Sequence, residues 1–265
     1  MGAITGAYEM ANITIDASSA GSAGLDVNSY LADFGGGFGS MNRGWFENLT
    51  GPHPSFGFQS GSGFTGAFVA EGSLTYDPFG DHVLKGSLDS IDFGSTLNWG
   101  TGAGWTVFVP PEVNSGNVLT ISGLDITGSS TATDPAHSIV FGLAAGDDTA
   151  LSNYLFETTA NTLTFIGSTG ADSITGGGGA DTFTGNGGAD SFIFADAAHA
   201  NGDTVTDFVS GTDKIGLGWN FAWDSALDDA GDVYYDSGVL MGFDASNDYF
   251  ELALATVAST DLFSA

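Results

Sequence analysis

The sequence predicts an α+β fold over residues 1–160, an antiparallel curved sheet with helices on one face, followed by an all-β parallel β-roll. Three observations predict it. Segments of alternating apolar and polar residues, broken by Gly-rich turns, run through the first 160 residues with a few helical stretches among them. Three nine-residue repeats then follow without a break: GSTGADSIT (167–175), GGGGADTFT (176–184) and GNGGADSFI (185–193). Beyond residue 160 the chain carries sixteen acids and one lysine, too little positive charge to neutralise itself. The domain plan is 1–160, then the repeats at 161–193, then a roll cap and C-terminal tail at 194–265.

The elements of the first part follow from pattern and punctuation. ITID (13–16) reads as a strand. LDVNSYLADFGGGFG (25–39) begins as a helix and runs out into glycine. AFVAEGSLTY (67–76), HVLKGSLDSIDFG (82–94), WTVFVP (105–110) and VLTISGLDI (118–126) read as strands by β-branched content and period two. Within 134–156, Asp134-Pro135 and Asp147-Asp148 have the chemistry of helix starts.

Each repeat has a Gly-Ala-Asp triplet and a large apolar residue two places after the Asp. A flexible linker has no reason to keep those residues in phase three times. One repeat therefore makes a Gly-rich turn and a short strand, with Ile174, Phe183 and Phe192 pointing inward. Asp172, Asp181 and Asp190 supply hard anionic oxygens, the ligand type that suits Ca²⁺. This pattern resembles RTX proteins, which Gram-negative bacteria export by type I (ABC) secretion. The resemblance implies calcium held between turns two repeats apart, and one or two complete sites from three repeats. The following segment, 192–218, resembles an RTX capping segment. Its Asp203, Asp207 and Asp213 serve either a further ion or turns and caps.

The formal charge of −29, with Arg43, Lys85 and Lys214 as the only Lys or Arg, disfavours nucleic acid and anionic membrane as partners. It favours divalent cations. There is no cysteine, so disulfides and thiolate metal sites are absent. No charged and then apolar leader is visible at the N-terminus, and no run is long enough to span a membrane. The tail TDLFSA resembles a type I secretion signal. Together these imply an extracellular, secreted protein, free or held at the cell surface.

In LTYDPFGDHVLKGSLDSIDFG (74–94), Tyr76 ends one strand and His82 begins the next across a five-residue turn. With AFVAEGS before it and FGLAAGD (141–147) after it, this hairpin resembles HasA-type haem-acquisition proteins, the secreted haemophores. The resemblance spans roughly 25–157. It implies that Tyr76 binds the iron of ferric haem b and that His82 hydrogen-bonds the phenol. A free tyrosine keeps its proton to about pH 10. An imidazole that accepts the phenol's hydrogen bond gives the oxygen the anionic character that ferric iron favours. Phe79, Leu84 and Leu143 follow as porphyrin contacts by motif position.

On the other haem face the sequence departs from the family. Where some haemophores place an axial His after Asn in the loop 37–58, this chain has Arg43 after Asn42. His53, between Pro52 and Pro54, stands as a displaced axial ligand, a hydrogen-bonding loop residue or an exposed one; a five-coordinate, Tyr-only haem is the alternative. Trp45, Phe46, Phe56 and Phe58 stack on the porphyrin or anchor the loop. His137 reads as structural, and His199 lies outside the haem domain.

No HExxH or GxSxG motif is present, and a carrier rather than an enzyme follows. The expected partners are an outer-membrane haem receptor, the export system and haemoglobin as a haem source. The competing reading is a calcium-dependent surface or adhesion protein without a cofactor.

Overall fold

The computed structural model describes residues 10–37, 45–46, 53–59, 66–76, 82–98, 112–114, 118–128, 134–158 and 161–265. In chain order the first elements are β1 (Asn12–Asp16), α1 (Val27–Gly37), β2 (Trp45–Phe46), β3 (His53–Gln59), β4 (Ala67–Tyr76), β5 (Leu84–Gly94), β6 (Thr96–Asn98) and β7 (Glu112–Asn114). Next come β8 (Leu119–Gly128), α2 (Pro135–Ala145) and α3 (Thr149–Ser152). The remaining strands are β9 (Thr162–Ile166), β10 (Ser173–Thr175), β11 (Thr182–Thr184), β12 (Ser191–Phe194), β13 (Asp203–Val205) and β14 (Lys214–Leu217). The last are β15 (Ala222–Trp223), β16 (Asp232–Asp236), β17 (Val239–Phe243), β18 (Tyr249–Ala253) and β19 (Leu262–Ser264). No described helix is long and apolar enough to cross a membrane. The chain forms two compact units, one of 1–11 with 31–152 and one of 12–30 with 153–265.

In the first unit β2, β3, β4, β5 and β8 pair antiparallel in that order. The strands at 67–76, 82–94 and 118–126 fall close to where period two places them. The stretch 37–58, read above as a loop, differs: β3 pairs with β4, and Ser55, Phe56, Gly57 and Phe58 are all buried. Burial of that apolar segment outweighs its Gly and Pro content. Phe58 stacks on Phe68 across the strands, and Phe34 of α1 meets Phe68 and Phe93 edge-on. Phe141 of α2 stacks on Phe56, so both helices cover the same aromatic face of the sheet. Helix α2 starts on Asp134, whose side chain accepts from the Ala136 N–H, with proline in its first turn. It stops at Gly146 in the left-handed conformation.

The register slips between Glu71 and Leu74 in β4 and between Leu88 and Ser90 in β5. Such bulges bend strands and re-aim side chains. Gly86 sits opposite the first slip with φ 106°, and a Cβ there would lie 1.9 Å from the Ser73 carbonyl oxygen. Gly86→Ala is therefore expected to destabilise the first unit by on the order of 2 kcal/mol or more, read as a lower denaturation midpoint. An unchanged midpoint would show that the hairpin does not need this backbone geometry.

In the second unit the repeat strands alternate between two sheets. On one, β1, β9, β11, β13 and β18 pair in parallel succession. On the other, β10, β12, β14 and β19 do the same. Repeats two apart are thus hydrogen-bonded neighbours. Ile174, Phe183 and Phe192 are fully buried between the sheets, and Phe183 lies 5.9 Å from Phe192 and 5.8 Å from Phe194. An antiparallel extension, β16–β17–β18, with β15 parallel to β16, precedes the last coil.

The units are not consecutive stretches. Residues 12–30, assigned above to a domain ending at 160, belong with 153–265. The reason is pairing: β1 lies parallel to β9 from Asn12↔Thr162 to Asp16↔Ile166, and Asp26 bridges Ser173.

Candidate functional site

Tyr76 and Leu84 face each other at the turn end of the β4–β5 hairpin, the last pair before the connection. Tyr76 is half-buried and His82 exposed. The Tyr76 Oη lies 3.4 Å from His82 Nδ1, so the hairpin brings the two rings together. His82 takes φ 57°, left-handed backbone that Asn, Asp, His and Gly adopt more readily than β-branched residues. Phe79 and Arg43 lie outside the described residues, as does the expected strand at 105–110.

A second histidine stands behind the pair. The Leu84 N–H donates to His137 Nδ1 at 3.0 Å, which leaves the proton of the neutral ring on Nε2. His137 stacks on Phe141 with centroids 4.6 Å apart, and Phe141 stacks on Tyr76 at 5.7 Å. Tyr76 is thereby held from below by an aromatic stack on α2. The structural reading of His137 agrees with these contacts. Phe141 was not singled out in the sequence, although His137 and Phe141 share one helix face at i, i+4. Leu84 and Leu143 are both 0% exposed; Leu143 sits on the core face of α2. His53 pairs with Leu74 through the backbone, and its side chain lies outside the described set.

The repeat aspartates form two ladders in the second unit. On one side Asp172 Oδ1 accepts from the Leu25 N–H, Asp190 Oδ1 from Asp172, and Asp213 Oδ1 from Asp190, at 2.6, 2.8 and 3.0 Å. On the other, Asp181 Oδ1 accepts from Leu163 and Asp203 Oδ1 from Asp181, at 2.8 and 2.7 Å. The second oxygens of Asp172, Asp181 and Asp213 accept from backbone N–H groups four residues earlier. Asp207 accepts from Gly185 and Asn186. Each of these carboxylates thus accepts a backbone N–H from another coil, and Asp172, Asp181 and Asp213 also close their own turns.

Burial leaves their charges only partly compensated. Asp203 is 1% exposed, and its Oδ2 has no hydrogen-bond partner among the described residues. Burial, with the nearby Asp181 charge, pushes its carboxyl up to about 8. Burial likewise pushes Asp181 and Asp190 up to about 6, and the charges of Asp213, Asp172 and Asp207 add to the effect on Asp190. Lys214 does not compensate: its Nζ bonds the Thr260 carbonyl at 2.9 Å and Asp261 at 3.5 Å. His199 pairs with Asp196 at 2.6 Å. A further acidic group, Asp224, Asp228 and Asp232, brings carboxylate oxygens within 4.8 Å of one another; it was not singled out in the sequence.

The family model described as Heme-binding protein A (HasA) matches residues 11–181. The hemophore HasA of Serratia marcescens is 31% identical over 144 residues, covering 50% of this chain and 74% of that protein. Among solved structures, the apo hemophore HasA of Yersinia pestis is 21% identical, covering 54% of this chain and 88% of its own, with a TM-score of 0.46. The holo form from the same organism is 22% identical over the same shares, also at 0.46. The family match spans well over half the chain, and the Tyr–His hairpin falls inside it: the chain belongs to the HasA heme-binding protein family.

Proposed function

We propose that this protein is a secreted haemophore, a carrier and not an enzyme, whose cargo is ferric haem b. Tyr76 at the turn end of the hairpin, with His82 Nδ1 3.4 Å from its hydroxyl, is the observation that carries the reading. Tyr76 would hold the iron through Oη. His82 accepts the phenol's hydrogen bond, which leaves the oxygen anionic in character and its lone pairs directed outward. The 3.4 Å spacing is long for such a bond and is of the kind that tightens when a ligand arrives. Phe141 supports the Tyr76 ring from α2, and His137 is committed to the Leu84 backbone. His53 remains the residue to test on the opposite haem face.

In this reading haem passes from a source such as haemoglobin to an outer-membrane receptor. The second unit follows the RTX reading, a parallel β-roll exported by type I secretion and folded in external calcium. Its donor set fits a hard cation. An oxygen that accepts one N–H keeps a second lone pair, Asp203 Oδ2 has no hydrogen-bond partner among the described residues, and Lys214 is turned to Thr260 and Asp261. Asp172, Asp181, Asp190, Asp203 and Asp207 are the candidate ligands. Calcium would supply positive charge to those carboxylates and pin the turns.

Haemin titration of the full chain tests the haem reading. A sharp Soret band with high-spin ferric charge-transfer bands is expected. An unchanged haemin spectrum would favour a calcium-dependent surface protein without a cofactor. His82→Ala separates the partner's role from the ligand's: haem affinity should fall by about tenfold where the imidazole is neutral and the phenol still holds its proton, and much less at high pH. Without its acceptor, the phenol gives up its proton less readily, so protons compete better with iron when they are abundant. Parallel pH profiles for the two proteins would remove His82 from the mechanism.

A further inference from the structure

We propose that residues 12–30 are the obligate first coil of the second unit's stack, and that the repeats keep their fold only when this upstream segment closes on them. The segment covers the first edge of both sheets. On one it contributes β1, with five consecutive register pairs to β9 and a side-chain bond from Thr162 Oγ1 to Asn12 Oδ1 at 2.9 Å. On the other, the Leu25 N–H donates to Asp172 Oδ1, the Ser173 N–H to the Leu25 carbonyl, and the Thr175 N–H to Asn28 Oδ1. These contacts join residues 147 and 150 positions apart. The backbones pack so closely that a Cβ on Gly24 would lie 1.9 Å from the Ala171 carbonyl oxygen.

The segment also has the chemistry of an end. On one side Asp172, Asp190 and Asp213 each accept an N–H from the coil before, beginning with Leu25. On the other the ladder begins at Asp181, which accepts from Leu163 of β9, the partner of Ile13. At neither matching position, Leu25 or Ile13, does the first coil have an aspartate, so it donates to or pairs with its neighbour and offers no ladder carboxylate onward. End coils of stacked folds depart from the repeat in this way. Without it, β9 would present an open parallel edge, and the buried Asp172 would lose the Leu25 donor. Residues 31–152 are then an insertion between the first and second coils of one stack, and the repeats cannot finish folding from their own sequence.

Hydrogen exchange on the full chain tests this. Leu25→Pro removes the donor to Asp172. It should speed exchange across 162–175 by at least about tenfold and spread to 182–194, while 84–94 keeps its protection. Asn28→Ala removes one acceptor and should speed exchange at Thr175 alone. Wild-type protection of 162–175 in Leu25→Pro would overturn the proposal. If Leu25→Pro unfolds 84–94 as well, Asn28→Ala decides: faster exchange at Thr175 sustains the first coil, and unchanged exchange there overturns it.

Discussion

Tyr76→Phe should lower haemin affinity by at least about tenfold, because outer-shell partners alone are worth that much and this residue is the proposed ligand itself. The ferric spectrum should shift as well, since the variant offers no anionic oxygen. The change is conservative for the fold. Phenylalanine keeps the ring that stacks on Phe141 and the strand pairing with Leu84, so circular dichroism should not move. A haemin titration and spectrum matching wild type would place the iron elsewhere.

The second large effect is expected from cation removal, and its sign depends on pH. Asp181, Asp190 and Asp203 have folded values above the ordinary carboxylate range, at about 6, 6 and 8. The folded unit without metal therefore holds protons that the unfolded chain releases near pH 4. The contribution of these three groups to stability is fully present below that and is lost as pH rises through 6 and towards 8. In chelator, the thermal midpoint of the second unit should drop by about 5–10 °C between pH 5.5 and pH 8. Millimolar Ca²⁺ should restore it most at pH 8, where the carboxylates are ionised and free to bind. A calcium response equal at both pH values, or none, would mean that the buried aspartates are not its ligands. The full chain is needed, because a fragment of 161–265 lacks the strand that pairs with β9.

What could be read from the sequence depended on range. Period two located β5 and β8, whose burial largely alternates, whereas β4 was located by its apolar and β-branched content, since Ala67 to Ala70 are all buried. Asp134-Pro135 located the start of α2 through local capping chemistry. The Tyr76–His82 approach was legible because a hairpin places residues six apart side by side. Strand β3 was hidden by its Gly and Pro residues, which describe a loop unless the neighbouring phenylalanines are known to be buried. Phe141 was hidden because nothing in α2 states which strand end its ring will meet. The placement of 12–30 was hidden most completely. Ile13 and Ile15 alternate as they would in any sheet, and a parallel partner 150 residues away leaves no mark on the local pattern.

The scarcity of positive charge also bears on proteolysis. Proteases that cut after lysine or arginine find three positions in the whole chain, Arg43, Lys85 and Lys214. Lys85 lies within β5 opposite Thr75, and Lys214 begins β14 with its ammonium tied to the Thr260 carbonyl. Cleavage needs an extended segment free to enter the protease cleft, so both bonds are cut only at the rate at which their strands open. Such proteases therefore have few bonds to attack in this chain, and two of the three lie in paired strands.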